Sequence, residues 1–522
     1  MGHIPEGDRM QSRILCLDDM VARDSMARIV DRFIGVVDLG ALGFANTTPR
    51  DLGRSSYSPN TMAKIYVFAY EQGIRSSRKI EHALRTNVEF MWLCGGLEPD
   101  FKTIADFRRD NTGPLSSLFY EFASFADSAG MYGKKVVAID GTKIRASNSK
   151  RRNISGKSLK RRIQYHGTRV AQYMRELEDA DDAQMIGELS DKAKKAMRSQ
   201  AEAQSLLDGM VDGGMTEVSL TDADARCMGK GRQGMHVAYN VQAAVDSKHH
   251  LIAEMGITNR PDDHGELSNM ARLTQESLRK RDITFLADKG YWGSEDLGIC
   301  RSAGIDCIVA PQARCGNRQE KDFALDAFTY DPATDSYLCP LGQRLTCRSR
   351  PATKKRIYDN KPACRSCKQA EKCKSGALGH RRITRGPGSD VLDWAYGRYQ
   401  DNLEIYGLRQ QLVEHPFGTI KRTMGADHFL LRGMEKVRCE AALLFVGYNL
   451  KRVRNVLGFD AIMAKLDEYA TLIGAGNANL SSHFWLYALF GPLYVTAAAF
   501  WRAMAAICPV GRGGAGPRVA YG

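Results

Sequence analysis

Acidic residues are in short supply in this chain of 522 residues: 60 Asp and Glu stand against 74 Lys and Arg, leaving a net charge of +14. A basic balance favours a polyanionic partner, either nucleic acid or an acidic membrane face, and does not choose between them. The opening residues, MGHIPEGDRMQSR, lack the apolar run of a secretory signal, so export is not expected. Long apolar runs are also missing, with one exception. Phe484 to Trp501 carries no charge, but Gly491-Pro492 interrupts it. Proline costs a helix interior about 3 kcal/mol, so two short packed helices or a loose tail are expected there rather than a membrane span. The closing GRGGAGPRVAYG reads as disordered. Cysteine is not scarce, but its 13 copies are odd in number and five of them (Cys339, Cys347, Cys364, Cys367, Cys373) crowd one short segment. Without an export signal, that pattern predicts metal ligands or free thiols rather than disulfides.

What is present is ample for a core. Hydrophobic residues make up 43% of the chain, and the length allows two to four structural units. Residues 1–125 read as a helical domain. Ser58-Pro59 suits an N-cap and first helical position, and Met62, Ile65, Tyr66, Ala69 and Tyr70 recur at helical spacing. Gln72-Gly73 ends that helix. Ser76 can cap the next, with Ile80, Ala83 and Leu84 inward and Arg75, Arg78, Lys79 and Arg85 outward. Helix, glycine turn and basic helix is the outline of a helix-turn-helix; a plain helical hairpin has the same pattern. A third helix is expected after Thr103, with Thr103 and Asp106 as its capping box.

Residues 130–310 and 396–457 read as one α/β unit. KKVVAID is a buried strand that Asp140-Gly141 should end. Seven of the thirteen residues from Lys150 to Arg162 are basic, and a charged helical insertion is expected over 150–215. The alternation in His236 to Asp246 predicts a strand with a hairpin return. A helix from about His264, strands at Ile283–Asp288 and Ile305–Ala310, and helices through 400–457 follow. Strand, antiparallel hairpin, helix, strand, helix, strand is the order of an RNase H-like mixed sheet. Residues 311–395 interrupt it as a basic, loop-rich, Cys-rich insertion: from Gln343 to Gly386, 14 Lys or Arg face two acids. Such local basicity is a stronger pointer to a polyanion than the total charge. Residues 458–522 form a variable tail.

Phosphodiester chemistry needs an activated oxygen nucleophile and a stabilised leaving oxygen, which two Mg²⁺ ions about 4 Å apart supply. Strand-end aspartates plus a helix glutamate are suitable hard ligands, and Asp140, Asp288 and Glu414 are candidates. Asp222, Asp224, Asp246, Asp262 and Asp263 are the other acids considered. Tyr291 and Trp292 could stack a flipped base or pack in a core. His415 could reach a phosphate or be structural. Cys364-x2-Cys367-x5-Cys373, preceded by Cys339, could bind zinc tetrahedrally or be reduced thiols; Cys347 is an alternative partner for Cys339.

Seven stretches, in order from about residue 57 to 452, resemble insertion-sequence transposases of the DDE class: YSPNTMAKIYVFAYEQGIRSSRKIE, DFKTIADFRRDN, VVAIDGTKIRASNSK, MHVAYNVQAAVDSKHHLIAE, LADKGYWG, VEHPFGTIKR and RGMEKVRCEAALLFVGYNLKR. The likeness is to the insertion-sequence 1182 group in particular, related to the insertion-sequence 4 and 5 superfamily. The resemblance implies Asp140, Asp288 and Glu414 as a metal-binding catalytic triad using Mg²⁺ or Mn²⁺. It implies DNA cleavage and strand transfer of the encoding element, with binding of terminal inverted repeats and target DNA. A homodimer on DNA, no membrane partner and a cytoplasmic, nucleoid-associated location are the corresponding expectations. Tyr406, Arg409 and Lys421 would hold a phosphate of the transferred strand, with Arg75, Arg78 and Lys79 contacting DNA from the N-terminal domain. The wider pattern places the arginine four residues before the glutamate; here that position is Gln410, and Arg409 lies five before. A nuclease without strand transfer, or a DNA-binding protein that has lost catalysis, would share most of these features.

Overall fold

Runs of β-branched residues become strands where they are expected. The computed structural model describes residues 16–48, 56–149, 152–212, 217–229, 234–312, 321–348, 355–373 and 379–474. The apolar stretch 484–501 lies outside these, and no described helix is long and apolar enough to cross a membrane. The strands of the first part are β1 (Val136–Arg145), β2 (Asn153–Ser155), β3 (Glu217–Ser219), β4 (Arg226–Met228), β5 (His236–Asp246), β6 (Ile252–Thr258), β7 (Thr284–Ala287) and β8 (Asp306–Val309). One mixed sheet runs in the order β4-β5-β1-β7-β8, with β6 also paired to β5. β5 is antiparallel to β1 and to β6, whereas β7 is parallel to β1 and β8 to β7. Parallel neighbours need crossovers, and the helices Glu266–Ser277 and Ser294–Ser302 supply them. β5 is buried from Val237 to Asp246, as a strand covered on both faces must be.

Packed on β6 is the long helix Met434–Leu457, whose buried residues extend from Val437 to Val453. The helices Pro59–Glu71 and Thr112–Ser128 pack against it. Gly447 permits the approach of the first: a Cβ there would lie 2.9 Å from Glu71 Cα. Ser58 caps Pro59–Glu71 by accepting from the Asn60 N–H, and Ile80, Ala83 and Leu84 face inward from Ser77–Thr86. The next helix begins earlier than Thr103. It spans Phe101–Asp110, and its cap is Asp100, which accepts from the Thr103 N–H at 2.7 Å.

Arg75 corrects the expected outward orientation. It is buried and donates to Glu440 Oε1 (3.0 Å), His428 O (2.7 Å) and Gly425 O (2.5 Å). Two long helices, Gly156–Glu178 and Ala183–Asp212, pack on each other over the β2–β3 ribbon.

The Cys-rich segment departs most from expectation. It is a five-stranded antiparallel sheet rather than loop: β9 (Thr329–Asp331), β10 (Ser336–Leu338), β11 (Arg344–Cys347), β12 (Arg356–Asp359) and β13 (Arg382–Arg385), paired in sequence order. Its buried centre is small, comprising Phe328, Tyr337, Leu345, Tyr358 and Ile383. The helix Ser389–Asp401 follows and packs on β8. Contacts divide the chain into Met1–Met463 and Ala464–Gly522; of the second unit, the final turns of the helix Phe459–Gly474 are described.

Candidate active site

Backbone register builds the site. Ile139 on β1 is level with Ala287, the last residue of β7. The next residues are Asp140 and Asp288, so two carboxylates arise on neighbouring parallel strands where one of them stops. β1 itself does not stop at Asp140-Gly141 as the sequence suggested; β5 continues to pair with it as far as Arg145. The opposite edge of β1 therefore has no strand partner among the described residues from Asp140 to Ile144. Arg145 then meets the 427–429 loop: its N–H donates to Asp427 O (3.3 Å), and its carbonyl accepts from the Phe429 N–H (2.7 Å). The open edge between is the candidate site.

Asp288 caps a short 3-10 turn, accepting from the Gly290 N–H at 2.6 Å, and Asp140 accepts from the Gly141 N–H at 2.9 Å. A third carboxylate lies behind them. Asp263 is buried, and its Oδ1 accepts from Asn240 Nδ2 (2.7 Å) and Gln242 Nε2 (2.9 Å). It occupies space that only glycines leave open. A Cβ on Gly141 would lie 2.5 Å from Asp263 Oδ1, and one on Gly290 would lie 3.1 Å from Asp263 Oδ2. Gln242 in turn accepts from the Tyr291 hydroxyl. In the sequence alone, Asp263 is one acid among several. Asn240 and Gln242, two amides inside an otherwise apolar buried strand, were the clue to it.

Burial pushes the Asp140 carboxyl up to about 6, opposed by the Arg409 guanidinium and reinforced by the charges of Asp288 and Asp263. Each carboxylate near another in a poorly solvated site makes the charged form costlier.

The helix Leu403–Gly418 crosses this edge and buries Leu412, Val413, Pro416 and Phe417. Arg409 Nη1 lies 3.7 Å from Asp140 Oδ2 and makes no hydrogen bond. Tyr406 is half-buried beside it; burial raises its hydroxyl pKa and Arg409 lowers it. Pro416 does not break the helix, which runs on into a π turn over Thr419–Thr423. That turn brings Lys421 Nζ to Thr142 Oγ1 and to Lys143 O (3.3 Å). Burial lowers the Lys421 pKa while Asp140 opposes the shift. Tyr406, Arg409 and Lys421 are thus brought to the aspartates. Glu414 is not: it is exposed, and its Oε1 accepts from Gln410 Nε2 at 2.8 Å. Among the described residues, no group of three or more His, Cys, Asp or Glu has an arrangement that could hold a metal ion.

The remaining candidates separate clearly. Arg78 and Lys79 are exposed, Arg78 lying over the Phe101 ring at 5.1 Å, whereas Arg75 is internal. His415 Nδ1 is 3.0 Å from the Tyr448 hydroxyl. Tyr291 and Trp292 are buried and so unavailable for base stacking. Asp222 accepts from the Tyr239 hydroxyl (2.8 Å) and Asp224 from the Met434 N–H (2.8 Å), which makes both structural. Asp246 accepts from the N–H groups of Gly133, Lys134 and Lys248, tying off the hairpin. Cys339, Cys364, Cys367 and Cys373 line one cavity of about 40 Å³, which Cys347 does not line. The Gln343 N–H donates to Cys339 Sγ at 3.2 Å. Burial raises the Cys373 thiol pKa, the other three thiols adding to the shift.

No curated protein and no solved structure matches this chain. Residues 338–454 match the family model of a transposase DDE domain. That match takes in Tyr406, Arg409, Glu414, Lys421 and the four cysteines, and leaves out both aspartates. Residues 15–110 match the model of a transposase domain (DUF772). Two matches on separate stretches, to a transposase domain and to a transposase DDE domain, support a transposase.

Proposed function

We propose that the protein cuts DNA at the ends of its own insertion sequence and joins the freed 3′ ends to target DNA, using Asp140, Asp288 and Glu414 as the metal-binding triad. One observation carries this reading: register sets Asp140 beside Asp288 at an open strand edge, among Tyr406, Arg409 and Lys421. The strand order and directions are those expected of an RNase H-like core and support it. Placement in the insertion-sequence 1182 group belongs to the same proposal.

The residues suit a divalent cation in part. Asp140 is crowded by two other carboxylates in a buried setting, an excess of negative charge that a cation would offset. Asp140 and Asp288 would hold Mg²⁺ or Mn²⁺; Glu414 joins them only if its helix turns. Bound there, the metal would activate the attacking oxygen and stabilise the leaving one. The chain's own cations have separate work. Arg409, whose Nη1 is ion-paired with Asp140 without a hydrogen bond, and Lys421 can bind the phosphate flanking the cut, and Tyr406 can orient it by hydrogen bond. Exposed Arg78 and Lys79 would contact the terminal inverted repeats, and the basic five-stranded sheet would grip the DNA backbone. Two copies would hold the two ends together.

The four cysteines lining one cavity do not form a metal-holding group as they stand, and would converge on a structural zinc when it binds. The buried centre of the five-stranded sheet is too small to stabilise it alone, and zinc binding supplies folding free energy directly. Purified protein should contain one zinc per chain, lost in Cys364→Ser; a zinc-free protein with an intact sheet overturns this.

The central test is cleavage of element-end DNA in Mg²⁺ by wild type and Glu414→Ala. Cleavage should be lost in the variant, and equal activity would sink the Glu414 assignment. Pre-cut ends separate the nuclease alternative: cleavage without joining favours a nuclease.

A further inference from the structure

An open recess of about 750 Å³ lies where β1 meets the 427–429 loop, at the far end of the open edge. Arg145, Asn148, Arg152, Thr221, His428 and Arg432 line it. It also contains one acid, Asp427, which is matched by Arg145 and by His428 Nδ1 at 2.7 Å. Arg152 and Arg432 are exposed and have no carboxylate partner among the described residues. Both are held in place. The Arg432 Nε–H donates to Ser147 O at 3.0 Å, while the backbone of Arg152 is fixed at both ends, to Ser149 O and from the Leu220 N–H, each at 2.9 Å. The Thr221 hydroxyl is buried and has no hydrogen-bond partner among the described residues.

We infer that this recess docks phosphates of the DNA strand engaged at Asp140 and Asp288, an assignment that rests on the function proposed above. Its chemistry is that of an anion site: arginine forks match phosphate oxygens in pairs. Its position selects a long anion over a small one. Arg145 is five residues along β1 from Asp140, about 17 Å at the rise of a strand. Lys421 stands between them, on Thr142 and Lys143. Arg409, Lys421 and the recess arginines therefore form a line of cations along the one edge of β1 that no strand covers. At 3.4 Å per nucleotide, that line spans about five nucleotides of B-form DNA. The described part of the basic run, Arg152 to Arg162, continues from the recess rim, since Arg152 belongs to both.

The test is element-end DNA binding by fluorescence anisotropy across a salt series, comparing wild type, Arg152→Gln/Arg432→Gln, the double lysine variant and Asp140→Asn. Loss of two phosphate contacts should lower the slope of log K against log salt by about 2, and affinity roughly thirty-fold at physiological salt. The lysine variant should keep the slope, because charge is retained. DNA carrying a neutral methylphosphonate about five nucleotides from the cut, at the recess, should weaken wild type but not the glutamine variant, as coupled partners require. Both arginines are exposed, so melting temperatures should agree. A wild-type slope in the glutamine variant overturns the recess assignment. Failure of wild type and Asp140→Asn alike to bind the DNA overturns instead the functional reading on which it rests.

Discussion

The two aspartates and the glutamate of the proposed triad are placed by different physics. Asp140 and Asp288 follow a paired register position on two hydrogen-bonded strands. A one-residue slip there would turn every buried side chain of β1 outward, so the core enforces their adjacency. Glu414 is placed by the rotation of a helix, where each residue turns the side chain by about 100°. Its neighbours Val413 and Leu412 are buried, and Glu414 is left on the rim beside Gln410. A sheet thus fixes the proposed pair by register, whereas a helix would bring the proposed third residue only as its rotation allows.

The largest effect should come from the strand-borne pair. Asp140→Asn or Asp288→Asn is expected to slow Mg²⁺-dependent cleavage by about 10³-fold or more, roughly 4 kcal/mol in barrier, with no loss of melting temperature. Activity within tenfold of wild type would remove the pair from the site.

Next in size is Arg75→Ala. Arg75 holds the 425–428 loop that closes the far end of the β1 edge, and its loss leaves Glu440 buried without its cation. A cost of about 3–5 kcal/mol is expected by denaturant unfolding. Arg78→Ala should change stability by less than about 0.5 kcal/mol.

Gly141→Ala tests the packing behind the pair, since its new methyl would meet Asp263 and Gln242. Overpacking of this kind costs about 1–3 kcal/mol, and cleavage should fall with it; wild-type behaviour in both assays would show that Asp263 can yield. The smallest effect belongs to the helix. Gln410→Ala removes the exposed hydrogen bond that Glu414 makes on the rim, worth about 0.2–0.5 kcal/mol. Cleavage should rise up to about twofold, and a fall would mean that Gln410 serves the site directly.

The strands around the site were legible because Val237, Tyr239, Val241, Ala243 and Val245 alternate in a run long enough to exclude a helix. The extent of β1 was not. Gly141-Thr-Lys looks like a turn in isolation, and only pairing with β5 keeps it extended. Arg75 was misjudged because helical spacing says which positions are neighbours, not which arginine meets a buried glutamate 365 residues away. The five-stranded sheet escaped notice for a related reason. Its strands are three or four residues long, and several alternate basic residues with buried ones, so neither length nor hydropathy separates them from loop. For Glu414, the motif identified the residue, and no sequence pattern reports the rotation of its helix.

The π turn at Thr419–Thr423 bears on that rotation. Such a turn holds one residue more than the α-helix around it, so the helix before it is indexed like a dial set one notch on. Dropping a single residue from the turn, as in a Thr419 deletion, would close it into regular α-helix, and the residue lost is the one step of about 100° that the turn absorbs. The angle from Val413, which faces the sheet, to Glu414, which does not, is one such notch.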